Sequence, residues 1–243
     1  MDEITTGGLL NGRVTYRQFA TGHRSGFEPV LLAASVPAKP GQTVLDAGTG
    51  AGAALLCLGA RVPTLSGIGL ELDGATAGLA NENFKINNLN NFFVVQGDAS
   101  APPFAAQKFD HIMANPPWFN PASTASPNAR RATAHHAKPA LLTNWISALT
   151  PLLRHQGSLT LILPAESFAQ ASAVLRASYG AITLNPLWPR RGVQAKMILL
   201  AARLGSKAPD ILRPGLVLHE GNAISPAAQA ILRDGQSINA QQG

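Results

Sequence analysis

The chain of 243 residues is poor in cysteine and in charge, and it has no long unbroken apolar run. A single cysteine, Cys57, allows no internal disulfide, so a cross-linked secreted scaffold is excluded and a reducing compartment, the cytoplasm, is expected. No apolar stretch reaches the roughly 18 residues that a membrane helix needs. The opening Met1-Asp2-Glu3 is acidic where a secretory leader would be basic, so neither a membrane span nor export by that route is expected. Charged residues make up 13% of the chain and apolar residues 46%, against a usual charged share of about 25%. That balance excludes an extended disordered chain and calls for a large buried core.

What charge there is falls unevenly. Residues 1–110 hold nine acidic and seven basic side chains, residues 111–209 one acidic and ten basic, and residues 210–243 three acidic and two basic. The middle segment therefore carries +9 of a net +6, the flanks being slightly negative. A basic block in a chain so poor in charge suits a polyanionic partner, because each neutralised phosphate releases counterions.

Turn and periodicity signals divide the chain. Asn11-Gly12, between Leu9-Leu10 and Val14-Thr15-Tyr16, marks a hairpin, and the run Val30 to Ala34 after Glu28 marks a short helix ended by Pro37 and Pro40. Strands are expected at Thr43 to Ala47, Leu65 to Leu70, Phe92 to Gln96, Phe109 to Ala114, Ser158 to Leu163, Ala181 to Leu187 and Met197 to Ala202, with helical stretches between them. Such alternation requires crossover connections. The expected fold class is α/β: a Rossmann-like, doubly wound, mostly parallel sheet of seven strands. Its last two strands form an antiparallel hairpin turning at Pro189-Arg190-Arg191-Gly192. Residues 1–40 are read as a hairpin and helix covering a cofactor site, 41–235 as the main domain, and 236–243 as a frayed tail. Pro121 to Pro139, rich in Pro, Ser, Thr, Ala and Asn, reads as a long loop after the fourth strand, of a kind that is either functional or disordered, and its position points to a site.

Residues 44–52 read Val-Leu-Asp-Ala-Gly-Thr-Gly-Ala-Gly, a GxGxG run just after a strand and before a helix. Backbone can approach a bound ligand closely there. The pattern leaves the ligand open, since Gly48, Gly50 and Ala53 also satisfy the dinucleotide form GxGxxA. Glu71 ends the second strand, where a carboxylate can accept from both hydroxyls of a ribose. Asp98, in Gln96-Gly97-Asp98-Ala99, ends the third, where a carboxylate can accept from an exocyclic adenine amine. Asp46 and Asp98 also suit turn or helix capping.

Asp46 to Gly52, Glu71 and Asp98 together resemble the first three motifs of class I S-adenosylmethionine-dependent methyltransferases. The resemblance implies S-adenosylmethionine as cofactor, with Gly48, Gly50 and Gly52 under its methionine moiety and Asp46 organising the glycine loop.

The most informative stretch is residues 109–119, Phe-Asp-His-Ile-Met-Ala-Asn-Pro-Pro-Trp-Phe. Two prolines stop the strand because they lack an N–H and fix φ, and its last carbonyls are left pointing outward. That geometry can receive an amine. An exocyclic or amide nitrogen is a poor nucleophile because its lone pair is delocalised, and donating its hydrogens to oxygens favours the electron-rich form. The Asn115 side-chain oxygen and the Pro116 carbonyl are the candidate acceptors, Pro117 completes the stop, and Trp118 can stack on the target ring, with about 1–3 kcal/mol per base. Asn115 to Trp118 resembles the Asn-Pro-Pro-aromatic group of aminomethyltransferases, which modify adenine N6, guanine N2 or a protein glutamine amide.

Residues 16–32 are similar to the opening segment of the bacterial tRNA-Val adenine-N6 methyltransferases, with Gly22, Arg24, Glu28 and Leu31-Leu32 matching in type and Glu28 standing where Asp is common. The basic loop Arg130-Arg131-Ala132-Thr133-Ala134-His135-His136 is similar too, although a glutamate often stands where His136 does. The likeness extends over about residues 15–235, including Pro189-Arg190-Arg191 and Leu216 to Glu220. It implies methylation of N6 of the adenine at position 37, beside the anticodon of a valine tRNA. It also implies a cofactor set of Arg24, Asp46, Gly48, Gly50, Gly52, Glu71, Asp98 and Asn115. Arg130, Arg131, Lys138, Arg190, Arg191 and Lys196 are expected to contact tRNA phosphates, with the target base splayed out. No metal is expected, since neighbouring His135 and His136 seldom aim both rings at one ion, and Trp145 and Trp188 are expected to pack. Two alternatives stay open. One is a protein-glutamine methyltransferase, a family that commonly has an N-terminal helical domain and favours Tyr where Trp118 stands. The other is a catalytically idle RNA-binding module.

Overall fold

The computed structural model describes residues 3–21, 26–117 and 140–241. The chain opens with an antiparallel hairpin, β1 (Ile4–Leu9) and β2 (Val14–Phe19), and Asn11 and Gly12 both take positive φ in its turn, as the Asn-Gly signal requires. There follow α1 (Glu28–Ser35), β3 (Thr43–Ala47), α2 (Ala53–Arg61), β4 (Ser66–Glu71), α3 (Gly74–Ile86), β5 (Phe92–Gln96) and β6 (Phe109–Ala114). Beyond the undescribed residues come α4 (Ala140–Leu149), β7 (Leu153–Pro164), α5 (Phe168–Leu175), β8 (Tyr179–Arg190) and β9 (Met197–Leu204). The short strands β10 (Ile211–Leu212), β11 (Leu216–Glu220) and β12 (Ala223–Ile224) precede α6 (Pro226–Leu232).

The main sheet runs β5-β4-β3-β6-β7-β9-β8-β11-β12, with β10 also paired to β8. β5, β4, β3, β6 and β7 are mutually parallel, and β9 is antiparallel to both β7 and β8. Central strands are apolar along their length because both faces are covered. Met113 joins Leu31, Leu32, Leu55 and Ile162 on one face, and its neighbour Ile112 joins Leu45, Trp145, Leu149 and Leu161 on the other. This is the doubly wound architecture that the alternating pattern leads one to expect.

Two expectations are corrected, and three short strands are added to the seven expected ones. Pro189 belongs to β8 and not to the turn, which runs from Arg190, the last residue of β8, to Val193, with Val193 N donating to Arg190 O at 3.1 Å. Pairing of β8 with β9 ends at Leu187–Met197, so Pro189 loses no ladder bond on that side. β7 and β8 are twice the length of a typical strand, and β10 to β12 extend the sheet beyond the seven strands. The terminal segment is docked and not frayed through Ile238, which is 2% exposed in the core cluster that holds α1, while Ser237 Oγ donates to Ala34 O at 3.3 Å.

Asn83 of α3 ties the hairpin to the domain. It is fully buried, its Oδ1 accepts from Arg17 N (3.0 Å), and its Nδ2 donates to Arg17 O (2.8 Å) and to Ala51 O (2.9 Å). One turn on, Asn87 pairs in the same way with the N–H and C=O of Thr15. Asn83→Ala would leave three backbone groups without this partner and is expected to lower unfolding free energy by about 2–3 kcal/mol in urea titrations. A loss under about 0.5 kcal/mol would show that the bracket does not hold the hairpin.

Candidate active site

Strand register brings the candidate residues to one edge. Ala47 pairs with Leu70 of β4 on one side and with Ala114 of β6 on the other. The next residue in each chain segment is Gly48, Glu71 and Asn115, so all three stand one position past the same row. Glu71 in turn pairs with Gln96, two residues before Asp98. The neighbours of β3 lead away in opposite directions, β4 to β5 and β6 to β7, which makes this carboxyl edge the topological switch point where open α/β sheets bind ligands.

The glycine loop is shaped by bonds from its neighbours. Gly48 N and Thr49 N both donate to Leu70 O, at 2.8 and 3.0 Å, and Gly52 N donates to Thr49 O at 3.0 Å. Gly50 N donates to Glu71 Oε2 at 2.9 Å. Trp145 from α4 packs against Gly48, consistent with a packing role, and Trp188 donates its indole N–H to Pro214 O at 3.1 Å.

Asp46 lies beneath the loop. It is 2% exposed, and its Oδ2 accepts from Thr49 Oγ1 at 2.7 Å. Burial pushes its pKa from 3.8 up to about 7; the Thr49 hydroxyl offsets part of that rise and the Glu71 charge adds to it. Between those two values the folded chain holds a proton that the unfolded chain has lost, so stability falls as pH rises from about 4 to about 7. An asparagine side chain in its place would accept from the same hydroxyl and never ionise. Asp46→Asn is therefore expected to melt above the parent near roughly pH 8, with the gap closing toward roughly pH 4 in calorimetric scans. A gap independent of pH would mean that Asp46 is not the titrating group.

Glu71 is half-buried, with Oε2 on Gly50 N and Oε1 on Asp73 N at 3.0 Å. Each carboxylate oxygen offers two acceptor sites, so both oxygens retain one for hydroxyl donors. Leu72, next in sequence, is 60% exposed and adds an apolar surface beside the acid. Sequence reading missed it; the available signal was a large aliphatic residue just past a strand end, outside any core periodicity. Asp98 is exposed, and its Oδ1 accepts from Ser100 N at 2.7 Å, a turn-forming bond that fits the capping alternative.

At Asn115 the side-chain Oδ1 is buried and has no hydrogen-bond partner among the described residues. An unpartnered buried acceptor is costly, and such atoms call for a functional reason. Pro116 is buried beside it and Pro117 is exposed. Arg190, Arg191 and Lys196 are exposed around the β8–β9 turn, with Arg190 Nε donating to Gly221 O at 3.1 Å. β8 runs parallel to β6, three strands along the sheet, so this turn projects past the same carboxyl edge, with Arg190 six residues beyond Leu184, which is level with Ala114. Arg24, Trp118, Arg130, Arg131, His135, His136 and Lys138 lie outside the described residues, as does the expected loop at 121–139. No helix among the described residues is long and apolar enough to cross a membrane.

The donor set fits an adenosine-bearing cofactor: a loop of glycines whose Gly50 faces open space, a carboxylate with free acceptor sites, and an apolar neighbour. Comparison with known proteins agrees in kind. A family model, the methyltransferase small domain, matches residues 28–186. The chain is 31% identical over 174 residues to the tRNA1(Val) (adenine(37)-N6)-methyltransferase of Proteus mirabilis, covering 67% of each chain. It is 40% identical over 79 residues to the release factor glutamine methyltransferase of Aliivibrio fischeri, covering 32% of this chain and 28% of that one. In fold it is similar to the crystal structure of a predicted O-methyltransferase from Agrobacterium tumefaciens, with a TM-score of 0.72, 22% identity, and coverage of 86% and 96%.

Proposed function

The chain belongs to the methyltransferase small-domain family, and from that premise we propose that it transfers a methyl group from S-adenosylmethionine to the N6 amine of an adenine in tRNA, at position 37 of a valine tRNA. The observation that carries the reading is the buried, unpartnered Oδ1 of Asn115, one residue past the strand row that also ends at the glycine loop and Glu71. An acceptor in that state suits a substrate that brings a hydrogen-bond donor, and an exocyclic amine brings two.

S-adenosylmethionine, when bound, supplies an electrophilic methyl group. Glu71 would hold ribose hydroxyls on its remaining acceptor sites, and the Gly48 to Gly52 backbone would lie against the methionine moiety. Asn115 Oδ1 and the Pro116 carbonyl accept the two amine hydrogens, which localises the nitrogen lone pair and fixes its direction; the nitrogen takes the methyl as the methyl–sulfur bond breaks, and one of its protons is then released to solvent. Trp118 is assigned the stacking role. Positioning of this kind lowers the barrier without a strong base.

The basic residues supply affinity for the phosphate backbone. The double variant Arg191→Ala, Lys196→Ala is expected to weaken tRNA binding about evenly across sequences and to reduce the slope of log affinity against log salt by about two. An unchanged slope in filter-binding titrations would return both residues to a solvated surface.

A second reading is supported by the 79-residue match to a release factor glutamine methyltransferase. The same motif logic serves a glutamine amide. Labelled methyl transfer to bulk tRNA and to release factors, followed by nucleoside and peptide analysis, separates them. N6-methyladenosine at position 37 of a valine tRNA is the expected product; label confined to a release factor supports the second reading, and label in neither refutes both.

A further inference from the structure

The carboxyl edge carries an aromatic pair that the proposed chemistry does not use. Phe27 stands at the N-cap position of α1 without a side-chain capping bond, and 39% of it is exposed to solvent. Its ring centre lies 6.3 Å from that of His219, with the two planes inclined at 37°. That separation is within the range of aromatic contact, so the two rings form one continuous surface with no slot between them. His219 is half-buried near the end of β11, where it pairs with Arg190 across the β8–β11 ladder.

The surroundings fix this surface and give it charge. His219 Nδ1 is 3.3 Å from Pro189 O, and since a carbonyl can only accept, Nδ1 carries the proton and the ring is held in orientation. Arg190 Nε donates to Gly221 O, which lays the arginine stem across the end of β11. Arg191, Val193 and Lys196 are exposed on the turn that follows. None of Arg190, Arg191 and Lys196 forms an ion pair among the described residues. Two acids adjoin the rings in sequence, Glu28 and Glu220. The charge beside the rings is therefore mixed, with the excess of cations on the side of the β8–β9 turn.

We propose that Phe27 and His219 form a stacking platform for a second unpaired base of the tRNA anticodon loop, distinct from the target adenine, with Arg190 and Arg191 on its phosphates. This rests on the reading of tRNA as the substrate. β11 lies four strands from β6 along the sheet, so the base it receives is not the one offered to Asn115. Single-stranded loops are recognised by bases splayed onto aromatic side chains, with cations tracking the backbone beside them. An exposed phenylalanine, a ring pinned by a backbone carbonyl and a cationic turn on one flank supply those parts. A stacked base brings a flat apolar face to the rings and a phosphate to the arginines, which suits a surface whose charge is one-sided.

The test uses the full chain and unmodified valine tRNA in filter-binding titrations over a range of salt. Phe27→Ala is expected to weaken binding about 5- to 100-fold, the worth of one stacked base. The slope of log affinity against log salt should stay as in the parent, because no phosphate contact is lost. His219→Ala should behave alike. Phe27→Leu keeps apolar bulk without a π face and should bind as weakly as Phe27→Ala, whereas Phe27→Trp should bind within about twofold of the parent; a packing role alone would reverse that order. A valine anticodon stem-loop with its loop nucleotides replaced one at a time by 2-aminopurine gives a second readout. At one position other than the target, fluorescence should fall on binding the parent and Phe27→Trp but not Phe27→Ala. Parent-like affinity in Phe27→Ala, an altered salt slope, or no position quenched in a Phe27-dependent way overturns the platform and leaves the tRNA reading standing. A parent that binds no tRNA overturns both. Binding of a release factor that Phe27→Ala weakens would assign the surface to a peptide and overturn the base assignment.

Discussion

Asn115→Ala is expected to slow methyl transfer by roughly 10²–10³-fold, the size of effect seen when one preorganised polar contact to a reacting group is removed. Cofactor affinity should change far less, because the lost oxygen acts on the acceptor amine. That oxygen has no partner among the described residues, so its removal orphans no described group, and the melting curve reports any effect on the fold. Single-turnover rates with saturating tRNA, set beside calorimetric cofactor binding and a melting curve, separate these effects. A variant that folds, binds cofactor and turns over within about tenfold of the parent would remove Asn115 from the acceptor site.

The glycine loop makes a second, paired prediction. A methyl group on Gly52 would sit 2.8 Å from Cε1 of buried Phe84, at a φ of +87° that side chains rarely adopt. The handedness penalty of about 1–2 kcal/mol and the overpacking penalty of about 1–3 kcal/mol make Gly52→Ala chiefly a stability variant. Gly50 differs. It too has positive φ, +57°, yet a methyl group there would meet nothing within 4 Å among the described residues. Gly50→Ala should therefore bear only the backbone penalty while intruding on the space proposed for the ligand, weakening cofactor binding roughly 10- to 100-fold. Equal cofactor affinity in the parent and Gly50→Ala, measured on folded protein, would mean that the ligand does not lie on this loop.

The central sheet was legible in the sequence where strands are buried on both faces. Thr43 to Ala47, Phe92 to Gln96 and Phe109 to Ala114 end where expected because turn residues and prolines bound short apolar runs. β7 begins five residues before its expected start, since Arg154, His155 and Gln156 are exposed and carry no periodic signal; only pairing of Phe109 with Leu153 recruits them. β10 and β12 are two residues each, too short for any pattern, and exist through pairing with β8 and β11.

At the site, Asp46, the glycines, Glu71 and Asn115 were legible because their chemistry depends on type and position along the chain. Their convergence on one row depends on the register of β3 with β4 and β6, strands far from it in sequence, which no local pattern encodes. Asn83 went unnoticed for a related reason. A lone asparagine in a helix reads as solvated, and its role as a bracket appears only once Ala51 and Arg17 are brought beside it.

A crystal structure with bound S-adenosylhomocysteine puts the proposal at greatest risk. The ligand should occupy the carboxyl edge between β3, β4 and β6, its ribose hydroxyls on Glu71 and its sulfur turned toward Asn115. Ligand density on the other side of the sheet, or a sulfur directed away from Asn115, would separate methyl donor from acceptor and contradict the proposed enzyme.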